Sequence, residues 1–416
     1  MLNQKNEREL AYLVSITDVT AMDADRLECA HIDGWKCVVG KGEFRKGDIA
    51  VFFEIDSQLP ETSPFCDMEF LVSKKYKIKS QRIRGVVSQG LLVPVTAFGW
   101  KLLKNAENGE TFVDTGDDSL RIDDESRFLT KRLGVTYTDP SDNVRKASNT
   151  DKYKSMASRH QKIAKTRIWR WLYKRMWGKK LLFVFFGRKR DRRSDWPTWV
   201  VKTDEERIQN CTYILNDTEE IWYPTEKIDG SSTTFTLFGY GHKQKFLVCS
   251  RNVVFDKPNK KCFYDTNIYT EMAEKYNMEE VMKKMLDSAH SVNSDIKFLT
   301  IQAETYGAGV QRRDYGLKGH DMAIFNIIWG FKDGSTQRLN PLEGRGVASN
   351  YGLPYVPVLS EEGVHLPNDC DAVLEMAGAE PSKIDGGMRE GIVFRSKNGK
   401  KSFKAVSNEF LLKYHG

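Results

Sequence analysis

The stretch "TEKIDGSSTTFTLFGYG" places Lys227 two residues before an Asp-Gly pair, at the mouth of a β-rich run. An amine held in such a turn could serve as a nucleophile, or it could be an ordinary surface lysine before a hairpin. To attack, it must first lose a proton, since a free lysine has a pKa near ~10.4. The same four letters recur at Lys383-Ile384-Asp385-Gly386, so the tetrapeptide alone does not decide. Other polar residues follow Lys227 in order. Ser250-Arg251 ends one apolar run, and Glu304 lies where another breaks toward Gly307. Phe325 sits inside a third, Glu390-Gly391 opens a fourth, and Lys404 lies in the last. Each has an ordinary reading by itself: carboxylates at strand ends face water, and aromatic residues in strands bury readily.

The elements that must carry these residues follow from pattern. Strands are expected at 232–238, 246–250, 298–304, 321–330, 391–396 and 401–406, and helices at 268–288, 370–377 and 407–414. The result is an α+β domain over 196–416. Upstream, "AYLVSITDVTAM", "WKCVVGKGEF", "GDIAVFFEIDSQL" and "QGLLVPVTAFG" are β-branched and aromatic runs punctuated by Gly40, Gly42, Gly47 and Pro60. Short strands with close turns predict a small all-β barrel within residues 1–140. The basic stretch "KKYKIKSQRIRGVVSQG" within it would present Arg82 and Arg84 to backbone phosphates.

Composition narrows the function classes. The chain has 416 residues and a net charge of +7, but nine lysines and nine arginines against two aspartates give residues 145–193 a charge of +16. The rest of the chain therefore carries −9. That segment, within a linker at 141–195, interleaves cations with Trp169, Trp171 and Trp177. It reads as a helix suited to an anionic partner, to packing on a neighbouring domain or to a membrane surface. The start lacks the layout of a signal peptide, and no apolar run reaches membrane-spanning length. Seven scattered cysteines without a Cys-x-x-Cys pair predict free thiols in a reducing compartment, cytoplasmic or nuclear, and argue against a structural zinc site.

The ordered set Lys227/Asp229/Gly230, Ser250/Arg251, Glu304/Gly307, Phe325, Glu390/Gly391 and Lys404 resembles the covalent nucleotidyltransferase superfamily of RNA and DNA ligases and capping enzymes. In that order the second Lys-Ile-Asp-Gly has no place, because Glu390 follows it at once. Only 12 residues follow Lys404, too few for a C-terminal barrel. The barrel instead precedes the transferase, as in the ATP-dependent RNA ligases with an N-terminal oligonucleotide-binding (OB) module. "KTDEERIQN" resembles the upstream arginine element of that branch, with Arg207 as the matching residue. One departure is Ser402, which stands where the final motif often has a first lysine; Lys400 or Lys401 could substitute.

The resemblance implies an OB-like barrel followed by an α+β, ATP-grasp-like transferase domain. It implies ATP and Mg²⁺ or Mn²⁺ as cofactors, and a route through lysyl-AMP and RNA-adenylate that seals 3′-OH and 5′-phosphate ends, as in RNA repair. Lys227 would be the nucleophile, and Asp229, Glu304 and Glu390 would hold the metal. Lys404, Arg207 and Arg251 would contact phosphate or ribose, Phe325 would stack on adenine, and Glu226 would help read the adenine edge. The implied partners are RNA, as nicked duplex, broken ends or an RNA–DNA hybrid, and an end-healing kinase or phosphatase. The protein itself would be a monomer. Chemistry would reside in the transferase domain, which should label itself even without residues 1–140. The competing readings are an RNA guanylyltransferase of the same superfamily and a non-enzymatic RNA-binding protein with a relic transferase domain.

Overall fold

The computed structural model describes residues 1–4, 7–104, 110–137, 166–173, 175, 182, 197–202, 204–239, 244–251, 253–255 and 267–415. In the N-terminal domain, the strand Ile49–Phe53 pairs with Ala11–Ser15 on one side and Leu91–Pro94 on the other, all antiparallel. "IAVFF" is apolar throughout because both of its faces are covered. Val51 and Phe53 pack with Leu13, Phe65 and Val93, while Phe52 packs with Tyr12, Trp35 and Leu92. A meander of Asp18–Ala21, Leu27–Ile32 and Trp35–Gly40 forms a second three-stranded sheet, and Lys101–Lys104, Thr111–Asp114 and Ser119–Leu120 form a third. Arg82 lies on a short hairpin of Gln81–Ile83 and Val86–Ser88, and Arg84 and Gly85 turn it with positive φ.

The C-terminal domain holds two antiparallel sheets. The larger has six strands in the order Val254–Phe255, Lys245–Ser250, Ser231–Phe238, Ile296–Gly307, His320–Phe331, Thr336–Arg338; the smaller has Trp222–Lys227, Gly391–Ser396, Ser402–Val406. The expected helix 268–288 is two helices, Ile268–Lys275 and Met278–Val292, parted where Asn277 takes a positive φ. Their buried Met272, Met282, Met285 and Leu286 cover the large sheet. A further helix, Pro341–Asn350, carries a capping box of Asn340 and Glu343.

The two domains share a core. Val406 and Leu411, from the end of the chain, pack among Tyr12, Ile32, Trp35 and Phe52 of the barrel. Polar groups cross the same boundary. The Asn210 side chain accepts from Trp35 Nε1 at 2.6 Å and from Tyr12 Oη at 3.1 Å, and it donates to Glu54 at 2.9 Å.

Of the basic segment 145–193, the described part includes a helix, Arg167–Tyr173. Trp169 and Leu182 are buried, whereas Trp171 is exposed with the Arg175 guanidinium 4.1 Å from its ring. The remainder of that segment, Trp177 included, lies outside the described residues. Described cysteines are free thiols, and no described helix is long and apolar enough to cross a membrane.

Candidate active site

The turn Lys227-Ile228-Asp229-Gly230 links the two sheets: Trp222–Lys227 ends in the smaller and Ser231–Phe238 starts in the larger. Strand register then collects the other groups. Lys227 lies opposite Gly391, so Glu390 is beside it; Ser232 lies opposite Glu304; and Val393 lies opposite Lys404. Close packing explains the glycines. A Cβ on Gly230 would fall 2.4 Å from Thr305 O and 2.9 Å from the Glu304 side chain, and one on Gly391 would fall 2.3 Å from Ala405 O.

Lys227 Nζ meets both carboxylate oxygens of Glu390, at 2.8 and 2.9 Å. Burial pulls its pKa down, but Glu390, Glu304 and Asp229 outweigh this and hold it above an ordinary lysine. The carboxyls show the opposite strain. Burial and the Glu390 charge push Asp229 up to about 7. Burial, against the opposing Lys227 charge and reinforced by Glu390 and Asp229, pushes Glu304 up to about 8. Asp229 Oδ2 is buried without a hydrogen-bond partner. Three carboxyls crowded around one amine have room for more positive charge, and an all-oxygen donor set suits a hard cation. Among the described residues, no three side chains are grouped closely enough to hold a metal alone.

A second, cationic group lies toward the barrel. Arg207 is buried, 3.7 Å from Asp56, and its Nε and Nη1 have no partner. A bridge of the backbone sets it beside Lys404. Burial, Arg207 and Arg8 bring Lys404 down to about 7. Arg251 pairs with Asp204 at 2.6 Å, and its guanidinium lies 5.4 Å from the Tyr137 ring, with Arg8 5.2 Å from the same ring. Sequence pattern did not flag Arg8, Asp56, Asp204 or Tyr137: they come from distant segments and form no local motif. Lys401 is engaged away from the place of Ser402. Lys401 pairs with Asp217 and Glu220, and the Ser402 hydroxyl takes a hydrogen bond from Arg338 at 3.1 Å.

Phe325 is the extra residue of a β-bulge, since Asn326 faces Gln302 while Ile324 faces Ala303. The bulge re-aims its ring, which packs half-buried with Ile228, Tyr306, Tyr315 and Val356 near the turn. Glu226 is buried, and its charge adds to burial in raising the Tyr306 phenol of the same cluster. Its carboxylate accepts from Ser382 Oγ and, at 2.8 Å, from Lys383 N. Arg82 and Arg84 lie away from the carboxyls on the barrel hairpin. Arg82 pairs there with Glu409 across a groove of about 670 Å³ that Lys36, Gln89 and Asp371 also line.

Comparison with known proteins bears on this arrangement. An OB-fold domain family matches residues 10–95 and the RNA ligase family matches residues 220–415. No curated protein matches the chain. Solved structures of Naegleria gruberi RNA ligase are similar over nearly the whole length. A variant with ATP and Mn is 26% identical at a TM-score of 0.67, covering 98% of this chain and 99% of that one. A variant with AMP and Mn gives 26% and 0.68, covering 98% and 99%. The same ligase with pyrophosphate gives 26% and 0.66, again covering 98% and 99%.

Proposed function

We infer how this chain, a member of the ATP-dependent RNA ligases with an OB-fold domain at residues 10–95 and a ligase domain at residues 220–415, joins RNA ends. The observation that carries the residue assignment is the convergence of Lys227, Asp229, Glu304 and Glu390 on one turn between two sheets. Lys227 is the nucleophile. Its Nζ forms a bond to the α-phosphorus of ATP while the bond to the bridging oxygen breaks and pyrophosphate leaves. The lysine then passes AMP to an RNA 5′-phosphate, and a 3′-OH displaces AMP as the phosphodiester forms.

In the structure the amine is an ion-paired ammonium, so Glu390 must release it before it can attack. Asp229, Glu304 and Glu390 would hold Mg²⁺ or Mn²⁺, which supplies charge neutralisation at the phosphate oxygens. The unpartnered N–H groups of Arg207 and the Lys404 ammonium are suited to the phosphates of ATP. Phe325 offers a face for adenine. Arg251, held by Asp204, is suited to the ribose or phosphates. Glu226, held by Ser382 and Lys383 and acting on Tyr306 of the Phe325 cluster, is placed to help read the adenine edge.

RNA repair is the role we assign, with nicked duplexes or broken ends as substrates, RNA–DNA hybrids among them. An end-healing kinase or phosphatase would prepare those ends, and the enzyme would work as a monomer inside the cell. Incubating the protein with labelled ATP or GTP, a divalent ion and RNA, followed by a denaturing gel, tests the reading. Label from ATP alone and a sealed product are expected. Label from GTP would favour a guanylyltransferase, and no label a binding protein.

A further inference from the structure

The second Lys-Ile-Asp-Gly is absorbed by the site in a different role. The connection between the two longest strands, residues 308–319, reaches both halves of the catalytic group through alternate residues. Gln311 Nε2 donates to Gly230 O at 3.1 Å, and Tyr315 Oη accepts from Asp229 N at 2.7 Å. Between them Arg313 is buried and points the other way, toward the loop that precedes Glu390. Its Nη1 donates to Met388 O and its Nη2 to Asp385 Oδ1. Its guanidinium also lies 4.2 Å from the Tyr315 ring. A Cβ on Gly387 would come within 2.8 Å of Arg313 Nη2, so the loop closes tightly around this side chain. Asp385 Oδ1 also accepts from Gly387 N at 3.0 Å, and Glu226 holds the start of the loop through Ser382 and Lys383.

The geometry points to Arg313 and Asp385 as positioning residues that fix Glu390 against Lys227. The inference rests on the ligase reading and deepens it. One fork ties Met388, two residues before Glu390, to a ring that holds the backbone of Asp229. A planar guanidinium making two directed bonds restrains orientation as well as distance. The Lys383 side chain, by contrast, is exposed and its ammonium pairs with Glu380, outside this brace. Loss of the brace slows the chemical step without weakening ATP binding in proportion, because misplacement of a catalytic group acts on the transition state.

The test is single-turnover self-adenylation of the full chain with ATP and Mn²⁺ across ATP concentrations. Asp385 is exposed, so Asp385→Ala serves as the variant that folds even if Arg313→Ala does not. The rate at saturating ATP should fall by about tenfold or more in both, with half-saturation moved less than about threefold. Asp385→Asn, which keeps the Oδ1 acceptor, should recover to within about threefold of wild type. Wild-type rates in both variants, equal losses in the Ala and Asn variants, or a loss confined to half-saturation would overturn the inference. An unlabelled wild-type protein would overturn the ligase reading beneath it instead.

Discussion

Glu390 grips the Nζ of Lys227 with both carboxylate oxygens, at 2.8 and 2.9 Å. The pair stores the nucleophile as an ammonium and ties the first motif of the order to its Glu390-Gly391 motif. Replacing Glu390 with alanine frees the amine but removes one of the three carboxyl groups proposed to face the cation. Glu304→Ala removes another. Each should lower self-adenylation by about 100-fold or more at saturating Mg²⁺ or Mn²⁺, a loss on the scale of one electrostatic catalytic group. Near-normal labelling in both variants would take them out of the metal role.

The raised carboxyls set a pH dependence for metal binding. Asp229 near 7 and Glu304 near 8 are largely protonated at pH 6 and must lose those protons to accept a cation. Affinity for Mn²⁺, measured without nucleotide, should therefore tighten as pH rises from 6 to 8.5. It should do so by up to about tenfold per unit for each proton released. Glu304→Gln should flatten the upper part of that rise.

Lys404 gives the opposite sign. Near 7 in the free protein, it is mostly neutral at pH 8, and a bound phosphate would favour its charged form. Metal-free ATP binding at pH 8 should take up close to one proton, read by calorimetry in buffers of different ionisation enthalpy. Lys404→Met should abolish the uptake.

The domains share a core: Val406 and Leu411 pack on the barrel, and Arg207 faces Asp56. These contacts argue against the sequence-based expectation that a protein without residues 1–140 labels itself largely intact and loses only sealing. Exposing the two side chains costs about 1.5–3 kcal/mol each. A fragment lacking 1–140 should melt well below the intact protein and label itself poorly. Full labelling by a fragment of undiminished melting temperature would show that the shared core is dispensable.

On the barrel, Arg82 is engaged with Glu409 in an exposed pair that contributes little to stability. Arg82→Glu should weaken binding of nicked duplex RNA and lower its salt dependence by about one phosphate contact while leaving self-adenylation unchanged. Unchanged RNA affinity would remove the hairpin from the RNA path.

The parts of this enzyme legible in the sequence are those whose signal is local. The strands around Lys227, Glu304, Glu390 and Lys404 show in apolar runs, and their order excluded Lys383 before any geometry was known. The hydrogen bonds that Glu226 takes from Ser382 and Lys383 were not legible, because those residues lie far along the chain. The Pro341–Asn350 helix was missed because Gly344 and Gly346 mask its period, while its capping box was there to be read. Arg8, Arg313 and Asp385 were illegible for a different reason: their partners come from segments far along the chain, and only the folded register brings them together.

The most direct test is the identity of the labelled residue. The protein should be incubated with labelled ATP and Mn²⁺, digested, and the modified peptide mapped by mass spectrometry. The account predicts AMP on Lys227 alone, loss of label and of sealing in Lys227→Ala, retained sealing of RNA already carrying a 5′-AMP, and normal label in Lys383→Ala. AMP on Lys383, or undiminished label in Lys227→Ala, would contradict it.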